Sequence, residues 1–202
     1  MRILGVDPGS RLTGYGCIDL VGNQLRHVSH GTLKLASVHG KATVPLEQRL
    51  LLLYQGLSEA IQKYRPQVLA VEKVFFAKNA VSALKLGQAR GAVVLTGAIH
   101  GLEIVEYSPT EVKASLSGYG RADKDQVAKM VQIIVGKKDF ETSDASDGVA
   151  LAICHAYRVV GGRNVQGVGS GSAGSLPTKK RGRSLAESLG LRLGPKGEVE
   201  RS

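Results

Sequence analysis

The strongest constraint in this 202-residue sequence is a change of hydrophobic period at Pro45. Before it, apolar residues come in short runs broken by turn residues. Arg2–Asp7 is ended by Pro8-Gly9, 13–20 by Val21-Gly22-Asn23-Gln24, and 25–35 alternates loosely. Runs of this length joined by short turns predict three antiparallel strands. After Pro45, residues Leu46, Leu50, Leu53, Leu57, Ile61 and Tyr64 fall three and four apart, the spacing of one helix face. Proline suits the first turn of that helix, and Arg65-Pro66 ends it.

Val68–Glu72 then reads as a buried strand, 79–100 as a second helix and 102–107 as a fifth strand. A short helix begins at Pro109-Thr110 and stops at Gly118, another covers 123–135, and a last one runs over 144–160 with Ser143 as its cap. This order predicts an α/β domain: a mixed five-stranded sheet with helices on both faces, its β–α–β–α–β part parallel with right-handed crossovers.

Composition divides the chain. The domain, residues 1–160, holds 19 basic and 14 acidic side chains; residues 161–202 hold 8 and 3, so half of the net charge of +10 lies in the last fifth. That last fifth is rich in Gly and Ser, then basic, and reads as a disordered tail. Within it Leu185, Leu189 and Leu193 are four apart, as on one helix face. Two cysteines, Cys17 and Cys154, exclude a disulfide scaffold and a four-thiolate zinc site. No uncharged run approaches the ~20 residues of a membrane helix, and MRILGVDPGS carries no apolar leader. A reduced, cytoplasmic protein with a polyanionic partner is the expectation.

Four carboxylates stand where the pattern does not expect charge. Asp7 ends the first strand and Glu72 the fourth; central strands of one sheet would bring them to a single edge. Asp144 and Asp147 are three apart in the first turn of the last helix, hence on one face. The local motifs offer these four acids no evident basic partner. Each acid also has an ordinary reading, as turn former, solvated strand end or helix-dipole charge. Together, an oxygen-only set suits Mg²⁺ or Mn²⁺. Two such ions ~3.5–4 Å apart would activate water and stabilise the leaving oxygen of a phosphodiester. Phe75-Phe76, in the loop after Glu72, supplies two of only three phenylalanines. It can pack on the core or stack on an unpaired base. Lys78 and Lys85 share a helix face, and Lys113, Arg121 and Lys124 flank the loop 118–120; they are ordinary surface lysines and arginine or a path for backbone phosphates. The segment Asp7-Pro8-Gly9-Ser10 with Gly14 and Gly16 resembles a phosphate-cradling hairpin, and His155 reads as a helix-face histidine.

GVDPGSRLTGYG at 5–16, VEKVFFAKN at 71–79, ALKLGQARG at 83–91 and DASDGVALAICH at 144–155 closely resemble the RuvC family of Holliday-junction resolvases, over about residues 1–160. The resemblance implies a ribonuclease-H-like fold and a homodimeric, Mg²⁺-dependent endonuclease that makes paired symmetric nicks in four-way DNA junctions during recombination and repair. It places the catalytic and metal-binding acids at Asp7, Glu72, Asp144 and Asp147, with two ions per subunit. It places a base-stacking aromatic at Phe75, DNA-contacting lysines at Lys113 and Lys124, and a basic helix position at Arg90. The small-faced helix 79–100 corresponds to the family's dimer-forming helix, and the RuvA–RuvB branch-migration complex is the implied partner. Rival readings are an actin-like ATPase, for which 160 residues are short, a junction binder without catalysis, and a ribonuclease-H-like enzyme acting on RNA. The tail lies outside the resemblance.

Overall fold

The computed structural model describes residues 1–36, 44–73, 80–136, 140, 142–166, 191–193 and 199–201. Three strands lead, β1 (Arg2–Asp7), β2 (Leu12–Val21) and β3 (Gln24–Lys34). Then come α1 (Leu46–Tyr64), β4 (Val68–Glu72), α2 (Ala80–Ile99) and β5 (Glu103–Tyr107). Three helices follow, α3 (Pro109–Ser117), α4 (Lys124–Val135) and α5 (Ser143–Gln166). The sheet order is β3-β2-β1-β4-β5. The first three strands are antiparallel, and β1, β4 and β5 run parallel. This is the mixed sheet that the change of period predicts.

Two cores cover the two sheet faces. Leu4, Val6, Cys17, Leu69 and Val71 pack with Leu53, Leu57 and Ile61 of α1 and Ala89 and Val93 of α2. On the other face Ile3, Ile18, Val68 and Ala70 pack with α3, α4 and most of α5, through residues such as Leu116, Val131, Val149 and Ile153. Strand parity decides which residue serves which core.

The long strand β3 carries a bulge opposite Cys17 and Ile18, where Ser29 and His27 are the partners and Val28 is extra. The extra residue puts His27 and His30 on the same face, where their rings bond at 2.8 Å and His30 meets Phe140.

Three sequence expectations change. The cap of α5 is Thr142, whose hydroxyl accepts from Ala145 N–H at 3.2 Å, and Ser143 is already helical. Helix α5 continues past Val160 to Gln166, six residues into the segment read as a disordered tail. Near the end of that segment Leu191–Leu193 (β6) pairs antiparallel with Val199–Arg201 (β7), so Leu193 lies in a strand rather than on a helix face. A hairpin satisfies its ladder locally, which an isolated amphipathic turn of this length cannot do.

Candidate active site

Period two sets the first pair of acids. In β1, Ile3 and Gly5 face α5, so Asp7 does also; in β4, Val68 and Ala70 face α5, so Glu72 follows them. The β1–β4 register pairs Ile3 with Val68 and Val6 with Val71, so the next position on each strand sets Asp7 beside Glu72. The hairpin behind Asp7 is fastened. The buried Thr13 hydroxyl donates to Gly9 O at 3.1 Å and accepts from Gly9 N–H at 3.2 Å. Arg49 of α1 donates to Ser10 O at 3.0 Å.

The second pair reaches the first because α5 lies directly on bare backbone. A Cβ at Gly5 would stand 2.1 Å from Gly148 O, one at Gly14 1.8 Å from Asp144 O, and one at Gly16 2.4 Å from Val149 N. These are contacts that only glycine permits. The glycines that resembled a phosphate cradle therefore admit the helix, and the close approach brings Asp144 and Asp147 to the strand ends.

Burial pushes the Asp7 carboxyl up to about 8, reinforced by the charges of Glu72, Asp147 and Asp144. Glu72 is raised as well, chiefly by burial, while a hydrogen bond with Asp7 and the charge of Lys124 act the other way. Lys124, at the start of α4, meets Asp147 at 2.9 Å. Asp147, without a basic partner in its local motif, thus gains one through the fold. The surrounding cleft, about 310 Å³, is lined by Asp7, Glu72, Asp147, Lys113 and Lys124 and, on its inner wall, by Val112, Val127 and Leu151.

The donor set fits a hard divalent cation: carboxylate oxygens alone, mutually repelling and partly desolvated. Among the described residues no three His, Cys, Asp or Glu side chains close tightly round a common point. Mg²⁺ does not require that, since it keeps several waters and takes one or two carboxylates plus substrate phosphate oxygens.

Comparison with known proteins decides the family. The family model described as Crossover junction endodeoxyribonuclease RuvC matches residues 3–155. The chain belongs to the RuvC family.

The RuvC relative from Syntrophotalea carbinolica is 48% identical over 157 residues, covering 78% of this chain and 94% of the relative. The structure of T. thermophilus RuvC in complex with a Holliday junction substrate superposes with a TM-score of 0.72 at 31% identity, over 80% of this chain and 96% of that one. The yeast mitochondrial Holliday junction resolvase Ydc2 shares the fold, with a TM-score of 0.57 at 14% identity over 76% and 77% of the two chains. As a RuvC family member this chain is an endodeoxyribonuclease, and its sheet is of the ribonuclease-H-like kind found in these resolvases.

The basic residues read from sequence as DNA contacts divide into groups. Lys113 and Lys124 stand at the cleft. Arg121 is exposed just before α4, and Lys85 is half-buried on α2. Arg90, partly exposed, is ion-paired with Glu106 of β5. Phe75 and Lys78 lie outside the described residues. Sequence reasoning passed over Tyr107 and Thr142, and read His155 as an ordinary helix-face residue. Tyr107 and His155 hydrogen-bond to each other across two elements, and only a β5–α5 contact reveals that. Among the described residues no helix is long and apolar enough to cross a membrane.

Proposed function

We propose that this chain resolves four-way DNA junctions by Mg²⁺-dependent hydrolysis, with Asp7, Glu72, Asp144 and Asp147 holding two ions. One observation supports the reading: the strand-end carboxylates Asp7 and Glu72 and the helix-borne Asp147 line one cleft whose other charged lining is Lys113 and Lys124, and the charge of Asp144, which does not line it, is still felt at Asp7. Divalent ions bound there would supply an activated water and neutralise the leaving 3′ oxygen.

The chain's own residues do the rest. The apolar wall of Val112, Val127 and Leu151 excludes water from one side of the cleft. Lys113 and Lys124 line the cleft where phosphate oxygens would enter, and the ammonium of Lys124, now on Asp147, would be free to meet phosphate if a cation held that carboxylate. The Asp7 carboxyl, pushed up to about 8 and bonded to Glu72, would release a proton if a cation bound there at neutral pH. We place Phe75 against an unpaired base near the crossover, and Arg121, Lys78 and Lys85 along the flanking arms. Arg90, held by Glu106, sits beneath that surface as a support.

Paired symmetric cuts need two sites related by a two-fold axis. The outer face of α2 suits the axis. Val81, Leu84, Leu95 and Ile99 are exposed, and nothing lies within 4 Å of where a Cβ would stand at Gly87 and Gly91. A second copy laid on this face would bury it, the two glycines letting the helices approach closely. The resulting homodimer is the form that would meet the RuvA–RuvB complex at the junction, in the cytoplasm.

The test is incubation with a synthetic four-way junction and a matched linear duplex, in Mg²⁺ and in EDTA. Paired nicks in the junction alone, only with metal, are expected. Equal cutting of the duplex, or cutting in EDTA, would overturn the reading.

A further inference from the structure

Tyr107 and His155 join the two halves of the acidic site through a buried bond. The tyrosine hydroxyl lies 2.8 Å from His155 Nδ1, and the two residues are 4% and 7% exposed. Tyr107 pairs in register with Glu72, and its carbonyl accepts the Lys73 N–H at 2.8 Å, so it fixes the end of β4. His155 lies on α5, eight residues after Asp147. Arg158, one turn further, covers the Tyr107 ring at 5.3 Å and reaches Glu111 at 2.6 Å. Glu111 closes the capping box of α3, the helix that carries Lys113.

This polar tie has a mechanical role because of how α5 rests on the sheet. Its N-terminal half lies on Gly5, Gly14 and Gly16. Bare backbone sets how close a helix comes, but offers few side-chain knobs to stop it sliding along its axis. Directional bonds add to the packing of Val149 and Ile153 in setting the axial register. One is at the N-terminus, where Thr142 bonds Thr32. A second, and the one fully buried, is His155 on Tyr107; the ion pairs Arg158–Glu111 and Lys124–Asp147 tie α5 to α3 and α4 nearer the surface.

We propose that His155 is a positioning residue for the nuclease centre, holding α5 at the axial register where Asp144 and Asp147 meet Asp7 and Glu72; this rests on the reading of those four acids as the metal site. With the ring proton on Nε2, Nδ1 accepts the tyrosine hydrogen. Protonation of the ring removes that acceptor and leaves the buried hydroxyl hydrogen without it. The charged groups felt at the ring are Glu103 from β5 and Arg158 from α5, while Glu111 from α3 and Cys154 from α5 act on its partner Tyr107. Burial, aided by Arg158 and opposed by Glu103, favours the neutral ring.

The experiment compares the full-length protein with Tyr107→Phe and His155→Asn, whose side-chain oxygen can stand in for Nδ1. Single-turnover junction cleavage at saturating Mg²⁺ is followed from about pH 5.5 to 8.5, with junction binding measured in Ca²⁺ and the His155 ring read by ¹⁵N NMR. Tyr107→Phe should cut about three- to tenfold more slowly at neutral pH, the worth of one hydrogen bond, while binding is unchanged. His155→Asn should keep the neutral-pH rate, and both variants should lose part of the acid limb. The wild-type spectrum should report an unprotonated Nδ1. Wild-type cutting by Tyr107→Phe, an acid limb common to all three proteins, or a proton on Nδ1 would each overturn the proposal. Should Tyr107→Phe fail to fold, the pH profile of His155→Asn and the spectrum decide alone. Failure of the metal reading is distinguishable, because Asp7→Asn would then cut normally whatever His155 does.

Discussion

Lys124 Nζ stands 2.9 Å from Asp147 Oδ2, an ion pair from the first turn of α4 to α5 that, with Lys113, sets positive charge beside the acids of the cleft. The lysine is 63% exposed, so the pair itself contributes no more than about 1 kcal/mol. Its larger effect is on the potential felt by a cation. Lys124→Met should destabilise the metal-free protein slightly and widen the gap between melting temperatures in Mg²⁺ and in EDTA, while junction cutting falls. Differential scanning fluorimetry reads the gap; an unchanged gap would separate Lys124 from the metal site.

Asp7→Asn keeps the shape of the deepest carboxyl and removes its charge. Cutting should fall by at least about a thousandfold, on the scale of losing a main electrostatic stabiliser. Junction binding in Ca²⁺ should persist, because the basic residues remain. Normal nicking by this variant would remove Asp7 from the chemistry.

The same carboxyl makes metal-free stability depend on pH. Its value rises from 3.8 in the unfolded chain to about 8 in the folded one. Between those values the folded state binds the extra proton, so the contribution of Asp7 to unfolding free energy is greatest below pH 4 and declines as pH rises towards 8, against the opposite contributions of Asp19 and Glu111. Glu72 is shifted in the same direction. Urea unfolding in EDTA should show this decline in the difference between wild type and Asp7→Asn. A difference that rises with pH over this window contradicts the assignment.

Two glycines should respond in opposite ways. A Cβ at Gly148 would meet the Tyr15 backbone at 2.6 Å, so Gly148→Ala should lift α5 and cost about 1–3 kcal/mol, with cutting lost. Gly91 faces open space. Gly91→Arg should leave the monomer fold intact and convert a dimer to monomer in sedimentation. A dimer that survives Gly91→Arg excludes this face of α2 from the interface.

Phe75→Ala should reduce cutting more than binding if the ring stacks on a base, with about 1–3 kcal/mol at stake. Equal rates for variant and wild type would return Phe75 to a packing role.

Much of this was legible along the chain because it is local. The change of period at Pro45 names the elements, and parity within β1 and β4 is enough to put Asp7 and Glu72 on one face. The spacing of Asp144 and Asp147 follows from the helical repeat alone. Four motifs in order were enough to place the family. Cap identity was misread by one residue, because Thr142 and Ser143 are both competent caps and only the contact with Thr32 on β3 favours Thr142.

What the tertiary structure decided is which distant residues meet. Lys124 reaches Asp147 because α4 packs beside α5, and Arg90 is taken by Glu106 because α2 crosses β5. The glycines of β1 and β2 let a helix touch the sheet. His155 bonds Tyr107 across 48 residues of chain. A sequence fixes its periodicities by local sterics, whereas the partner of a charge or hydroxyl depends on the packing of whole elements. That packing makes a set of repelling acids into a site that a cation can complete.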